Sequence, residues 1–232
     1  MSHYQAVFLD AGDTLIDFYS TGDRVTRLVG ERTGRRVPPA EARPYFDAAF
    51  HYALGGAGNG LLWVNDVETE RQYWANYYAG WLDAAGLDPH PALVEELVAD
   101  TLNLEIYTAF ADAPPALETL GAAGIKRVLI SNAFPSMQHI MRRLDLERHF
   151  DECLYSCHVG YEKPGAEIFN LALSLVDLPP AATCFVDDVP RNVEAATSLG
   201  IHGLLIDRWE RHPHSPWPKL TSLAELQTHL GL

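Results

Sequence analysis

The sequence predicts an α/β fold, a mainly parallel, doubly wound sheet into which an all-helical block is inserted. Three observations carry this reading. Short apolar runs that stop at a polar residue recur along the chain: Ala6-Val7-Phe8-Leu9 before Asp10, Val128-Leu129-Ile130 before Ser131, and Cys184-Phe185-Val186 before Asp187. Helical stretches alternate with them over the second half of the chain. Between about Ser20 and Thr108 no such run occurs. Runs this short and wholly apolar suit strands covered on both faces, and strand–helix alternation is the pattern of parallel βαβ units.

The first strand is Ala6-Val7-Phe8-Leu9. The block after it offers amphipathic helices at 23–33, 40–53, 67–85 and 91–103. The third carries Tyr73, Trp74, Tyr77, Tyr78 and Trp81, whose spacings of one, three and four residues place them on one broad face. Packing within a helical bundle is the simpler role for that face, and one or two rings lining a substrate pocket is the alternative. The run Gly55-Gly56-Ala57-Gly58-Asn59-Gly60 neither follows a strand nor opens a helix, so it is a poor dinucleotide fingerprint. It reads as a turn between helices, or as a lid loop.

Beyond residue 108 the helices are expected at 114–123, 135–144, 165–176 and 190–199. Several have Pro in or near the first turn, and Gly124 and Gly200 follow two of the ends. Cys153-Leu154-Tyr155 and Gly203-Leu204-Leu205-Ile206 are weaker strand runs. Residues 211–218 read as a proline-rich surface loop before a last helix at 223–230. The expected division is a core of residues 1–17 and 109–232 and an inserted helical domain of residues 18–108.

The 232 residues, 47% of them hydrophobic, suffice for such a core with an insert. A formal charge of −14 argues against nucleic acid and anionic membranes as partners. A small anionic substrate therefore has to meet positive charge inside a pocket. No apolar stretch approaches the ~20 residues that span a bilayer, and no signal peptide is visible. The three cysteines, Cys153, Cys157 and Cys184, form no zinc or disulfide pattern and read as structural thiols. The expectation is a cytoplasmic protein; the sequence does not decide between monomer and homodimer.

In an open parallel sheet the carboxyl ends of the strands form one edge, where ligands bind. Asp10, Ser131 and the pair Asp187-Asp188 would converge there, together with a lysine, Lys163, on a flexible segment. The carboxylates of Asp10 and Asp188 are hard oxygen ligands for Mg²⁺, which binds one or two carboxylates plus phosphate and keeps several waters. Asp10 can then act as nucleophile on phosphorus. Ser131 and the amide of Asn132 would bind the transferring oxygens, and Lys163 would balance their charge.

The run Asp10-Ala11-Gly12-Asp13-Thr14-Leu15-Ile16-Asp17 resembles the first motif of the haloacid dehalogenase superfamily, usually Asp-x-Asp-Gly-Thr-Leu. Ser131-Asn132 is similar to its second motif, and Lys163-Pro164 with Glu167-Ile168-Phe169 to its third. Phe185-Val186-Asp187-Asp188-Val189-Pro190-Arg191-Asn192 is similar to its fourth. The resemblance runs from about Ala6 to Ile206 and implies a Rossmann-like core with strand order 5-4-1-2-3 and a helical cap after the first strand. It also implies Mg²⁺ held by Asp10, Asp188 and the carbonyl of Gly12, and a small phosphorylated substrate. Asp187 is expected to support the ligands or cap a helix, Asn192 to orient metal waters or Lys163, and Thr14 to cap the turn.

One departure stands out. Phosphatases of this family usually carry a second Asp two residues after the nucleophile, as general acid and base. That position is Gly12 here, and the Asp follows one step later as Asp13. Successive residues of an extended chain point apart, so Asp13 is expected to bond within the turn. Two alternatives arise: a metal-independent 2-haloacid dehalogenase, for which Arg24 and Arg27 are available to bind a substrate carboxylate, and a weakly active phosphate-binding pseudoenzyme.

Overall fold

The computed structural model describes residues 4–35, 37, 49 and 61–232. Five strands lie where the apolar runs predict them: β1 (Ala6–Leu9), β2 (Lys126–Ser131), β3 (Glu152–Tyr155), β4 (Thr183–Asp187) and β5 (His202–Ile206). A sixth, β6 (Lys219–Leu220), extends the sheet to the order β3-β2-β1-β4-β5-β6, with every pairing parallel. The expected order is present, with one strand more. Two residues carry no periodicity, so β6 leaves no signature of its own.

The two faces of the sheet are filled by different helices. Val7, Leu9, Leu129, Cys184 and Val186 share a core with α4 (Ala113–Ala122), α5 (Ser136–Arg143) and the C-terminal α9 (Leu226–Leu230). Ala6, Phe8, Val128, Ile130 and Phe185 point the other way, toward α7 (Ala166–Val176) and α8 (Pro190–Ser198). A short turn of helix, α6 (Ser156–Val159), follows β3. Each large apolar side chain removed from water here contributes roughly 1.5–3 kcal/mol, which is why runs without any polar residue become the central strands. The close approach of α8 to β5 depends on Gly203, where a Cβ would come within 2.7 Å of Val193 Cγ1 and 3.1 Å of its carbonyl oxygen.

Between β1 and α4 the described residues form α1 (Tyr19–Thr33), α2 (Val67–Ala84) and α3 (Pro91–Thr101), with no strand of the sheet among them. Val25, Val29, Tyr78, Trp81, Leu82, Leu97 and Val98 bury one another in a core separate from the sheet. Arg24 joins α1 to α3 through a bidentate pair with Asp100, and Arg32 does the same through Glu96. Helix α2 starts where Asp66 accepts from Thr69 N at 2.8 Å and Thr69 Oγ1 accepts from Asp66 N at 3.1 Å, a reciprocal cap. The helix expected at 40–53 and the glycine run at 55–60 lie outside the described residues, Ala49 excepted.

The aromatic face of α2 divides between two surroundings. Tyr78 and Trp81 lie in the helical core, whereas Tyr73 packs with Leu61, Val64 and Phe134, a residue of the loop after β2. The Tyr73 and Phe134 ring centroids are 4.7 Å apart. Beside them the buried Glu70 accepts from Ser136 N at 3.0 Å and from its hydroxyl, capping α5 from outside. The helical block is thereby held against the loop that follows Ser131 and Asn132.

Candidate active site

Register brings the first two carboxylates together. Leu9 is paired with Leu129 on one side and Val186 on the other, so Asp10 and Asp187 leave β1 and β4 at the same level and on the same face. Asp10 N donates to Val186 O at 3.0 Å, carrying the pairing one step past the strand. Ser131, the last residue of β2, is buried at the same edge. On that face the Nζ of Lys163 lies over the Phe185 ring, 5.5 Å from its centroid.

Lys163 is not on a loose segment. It is 2% exposed and donates to Asp10 Oδ1 at 2.6 Å and Asp187 Oδ2 at 2.7 Å. Asn132 holds its backbone from both sides: Lys163 N donates to Asn132 Oδ1 and Asn132 Nδ2 donates to Lys163 O, each at 2.7 Å. The Asn132 side chain therefore places the lysine. One N–H of the carboxamide is used in this way, which leaves its second for the transferring oxygens.

Asp187, fully buried, accepts from Val189 N at 2.8 Å at the start of α8 and from Asn192 Nδ2 at 3.1 Å to both oxygens. It closes the turn that leads into the helix and pairs with the lysine at once. Asn192 reaches Lys163 through Asp187, and its Oδ1 is buried without a partner among the described residues.

The backbone does not account for the reversed pair of the first motif. Asp13 has φ 54°, in the left-handed region that favours glycine, while Gly12 does not. Asp13 Oδ1 accepts from Phe18 N at 3.0 Å, so its side chain does bond within the turn. A Cβ on Gly12 would touch only the Phe18 ring, 3.5 Å away, an ordinary contact. Thr14 does not cap: its hydroxyl is buried without a hydrogen-bond partner among the described residues, and its carbonyl accepts from Arg208 Nη2 at 2.8 Å.

Two arginines were missed in the sequence. Arg208, two residues past β5, pairs with Asp112 through both terminal nitrogens at 2.9 Å and lies over Phe110, 3.8 Å from its centroid, clamping the turn after β1 through Thr14 O. Arg211 donates from Nη2 to Asp13 Oδ2 at 3.3 Å and to Asp188 Oδ2 at 3.2 Å. The available signal was β5 itself, whose carboxyl end lies on the same edge as those of β1 and β4; reading 211–218 as surface loop passed over it.

Four carboxylates, Asp10, Asp13, Asp187 and Asp188, thus meet two cations, Lys163 and Arg211. With all groups ionised, two negative charges stay unmatched. Burial, with Asp187 beside it, pushes the Asp10 carboxyl up to about 6 in spite of Lys163. Burial also raises Asp188 well above the usual carboxylate range, helped by Asp187, Asp10 and Asp13 and opposed by Arg211. Burial alone would depress Lys163, but Asp10 and Asp187 outweigh it and keep the ammonium charged.

This donor set fits Mg²⁺. Among the described residues no three His, Cys, Asp or Glu side chains form an all-protein metal cage. Mg²⁺ does not need one, since one or two carboxylates with waters and a substrate phosphate complete its shell. Lys163 uses only Oδ1 of Asp10, and Arg211 only Oδ2 of Asp188. Asp10, Asp188 and the carbonyl of Gly12 are the groups that would hold the ion.

Unmatched charge has a cost that pH reveals. The folded protein holds the Asp10 proton up to about pH 6, against an ordinary value near 4, so wild type loses stability as pH rises from about 4 through 6. In metal-free buffer Asp10→Asn should therefore gain on wild type as pH increases, clearly at pH 7.5 and by little at pH 4. Urea unfolding of both proteins at the two pH values measures this, and a pH-independent difference would contradict it.

Comparison with known proteins agrees with this architecture. The model of the haloacid dehalogenase-like hydrolases matches residues 4–200, and the chain belongs to that family. It is 30% identical over 156 residues to the haloacid dehalogenase-like hydrolase domain-containing protein 3 of Xenopus laevis, covering 66% of this chain and 62% of that protein. The chain thus spans less than two thirds of that relative's length. Similarity to the GMP/IMP nucleotidase YrfG of Escherichia coli (strain K12) is 26% over 220 residues, 89% of each chain. Among solved structures, a dehalogenase with intermediate complex superposes with a TM-score of 0.75 at 21% identity, covering 100% of this chain and 99% of that one. That likeness shows the fold. No described helix is long and apolar enough to cross a membrane.

Proposed function

We propose that this hydrolase is an Mg²⁺-dependent phosphatase that moves the phosphoryl group of a small phosphorylated metabolite onto Asp10 and then to water. The observation that carries the reading is the surplus of buried carboxylate around Asp10, which a divalent cation would neutralise. Mg²⁺ supplies the charge that lets a carboxylate approach a phosphate. A carboxylate oxygen of Asp10, held through its other oxygen by Lys163, forms a bond to phosphorus as the ester P–O bond breaks. The leaving oxygen takes a proton from solvent water, since no carboxyl stands at Gly12 to give one. Water attacks the aspartyl-phosphate, releases inorganic phosphate and restores Asp10.

Lys163, locked by Asn132 and Asp187, orients the nucleophile and places positive charge beside the transferring oxygens. Ser131 stands at the same edge to donate to them. The helical block of residues 18–108 acts as the cap, docked through Glu70 and Tyr73 on the loop after β2 and excluding water from the site. The relationship to a nucleotidase supports a phosphomonoester as substrate. The free, partly or fully buried cysteines suit a reducing, cytoplasmic setting.

The absence of a carboxylate at Gly12 favours a second reading, metal-independent dehalogenation of a 2-haloacid. Neither expected carboxylate anchor serves it well: Arg24 is committed to Asp100 and Arg27 is exposed. The deciding assay offers a panel of phosphomonoesters and 2-chloropropionate, each with Mg²⁺ and with chelator. Phosphate release that chelator abolishes is expected, with no chloride release. Chloride release indifferent to chelator would replace the first reading by the second. Release of neither would count against both readings.

A further inference from the structure

We propose that Arg211 is an exchangeable counter-cation of the site: its charge beside Asp188 opposes binding of the divalent ion, and its head swings away when that ion binds. This rests on the metal reading above. The two cations of the cluster are held quite differently. Lys163 makes bonds of 2.6 and 2.7 Å and its backbone is locked by Asn132. Arg211 reaches both its carboxylates through one nitrogen, Nη2, at 3.2 and 3.3 Å, longer than the 2.7–2.9 Å of good charge-assisted bonds. Its Nε is buried without a partner among the described residues. A guanidinium suited to bidentate pairing is thus left with a single-atom grip, on the carboxylate expected to carry the metal.

The chain holds this loose contact in place from behind. Asp207, buried just past β5, accepts from Arg211 N at 2.7 Å and His212 N at 2.9 Å. The guanidinium lies over Trp209, 4.7 Å from the ring centroid. The backbone of residue 211 is therefore anchored, while the head of the side chain can swing over the indole. A positive head beside Asp188 repels an incoming divalent cation, but while the metal is absent it offsets part of the repulsion among Asp13, Asp187 and Asp188. Arg211 so lowers affinity for the metal while sparing the metal-free fold some of its unmatched charge.

The test is binding of Mn²⁺, a probe for Mg²⁺ that is counted directly as free ion by electron paramagnetic resonance, to the full chain. Arg211→Gln and Arg211→Met should each bind roughly tenfold more tightly than wild type or better, and Arg211→Lys should stay near wild type. Asp188→Asn should abolish binding in the wild-type and Arg211→Gln backgrounds. Thermal melts identify any variant that is unfolded, and the second neutral variant then carries the comparison. Equal or weaker binding by the neutral variants, with Asp188-dependent binding intact in wild type, overturns the role of Arg211 and leaves the metal reading standing. No Asp188-dependent binding in any folded variant overturns both.

Discussion

Asp10→Asn should leave a folded protein with phosphatase activity reduced at least about 10⁴-fold, because removing a covalent nucleophile typically removes most of an enzyme's advantage over water. The substitution keeps the size of the side chain and its place between β2 and β4, and Lys163 keeps Asp187 as a partner at 2.7 Å. The loss should therefore fall on kcat, with the fold intact by circular dichroism. The same variant is expected to resist urea better than wild type at neutral pH without metal. Inactivity alone would suit a damaged protein, but inactivity with higher stability is what a buried, under-neutralised nucleophile predicts. A variant as active as wild type would end the aspartyl-phosphate mechanism.

The second large effect is a gain. Gly12→Asp combined with Asp13→Gly restores the usual order of the first motif, and a positioned general acid is typically worth 10²–10⁴-fold. The backbone accepts the exchange. Residue 13 has φ 54°, where glycine is unstrained, and a Cβ at residue 12 makes only ordinary contact with Phe18. The gain should be large for alkyl phosphates, whose leaving oxygen needs a proton, and small for an aryl phosphate, whose leaving group departs without one. Steady-state rates on one substrate of each kind make the comparison. Equal effects on both would show that residue 12 acts through the shape of the turn and not through a proton.

Much of the fold was legible because its strands are buried on both faces. The runs ending at Leu9, Ile130 and Val186 contain no polar residue, since none could sit there without cost. The reactive residues follow these runs directly, so their convergence on one edge needed only the parallel topology. β6 was illegible because two residues have no period. The pairing of Asn132 with the lysine backbone and the placing of Arg211 were illegible for another reason: each joins segments whose separation is set by packing and not by local pattern.

By itself the sequence determined the layers and the set of carboxylates brought to the sheet edge, because burial periodicity and strand-end position are properties of short stretches of chain; the strand order was legible only as what the resemblance of the four motifs implies. Only the tertiary structure decided which carboxylate each cation serves, how deeply Lys163 is buried, and that the proline-rich segment after β5 sends an arginine into the site. Charge pairing varies with distance and burial over a few ångströms, and that scale is reached only when distant segments pack.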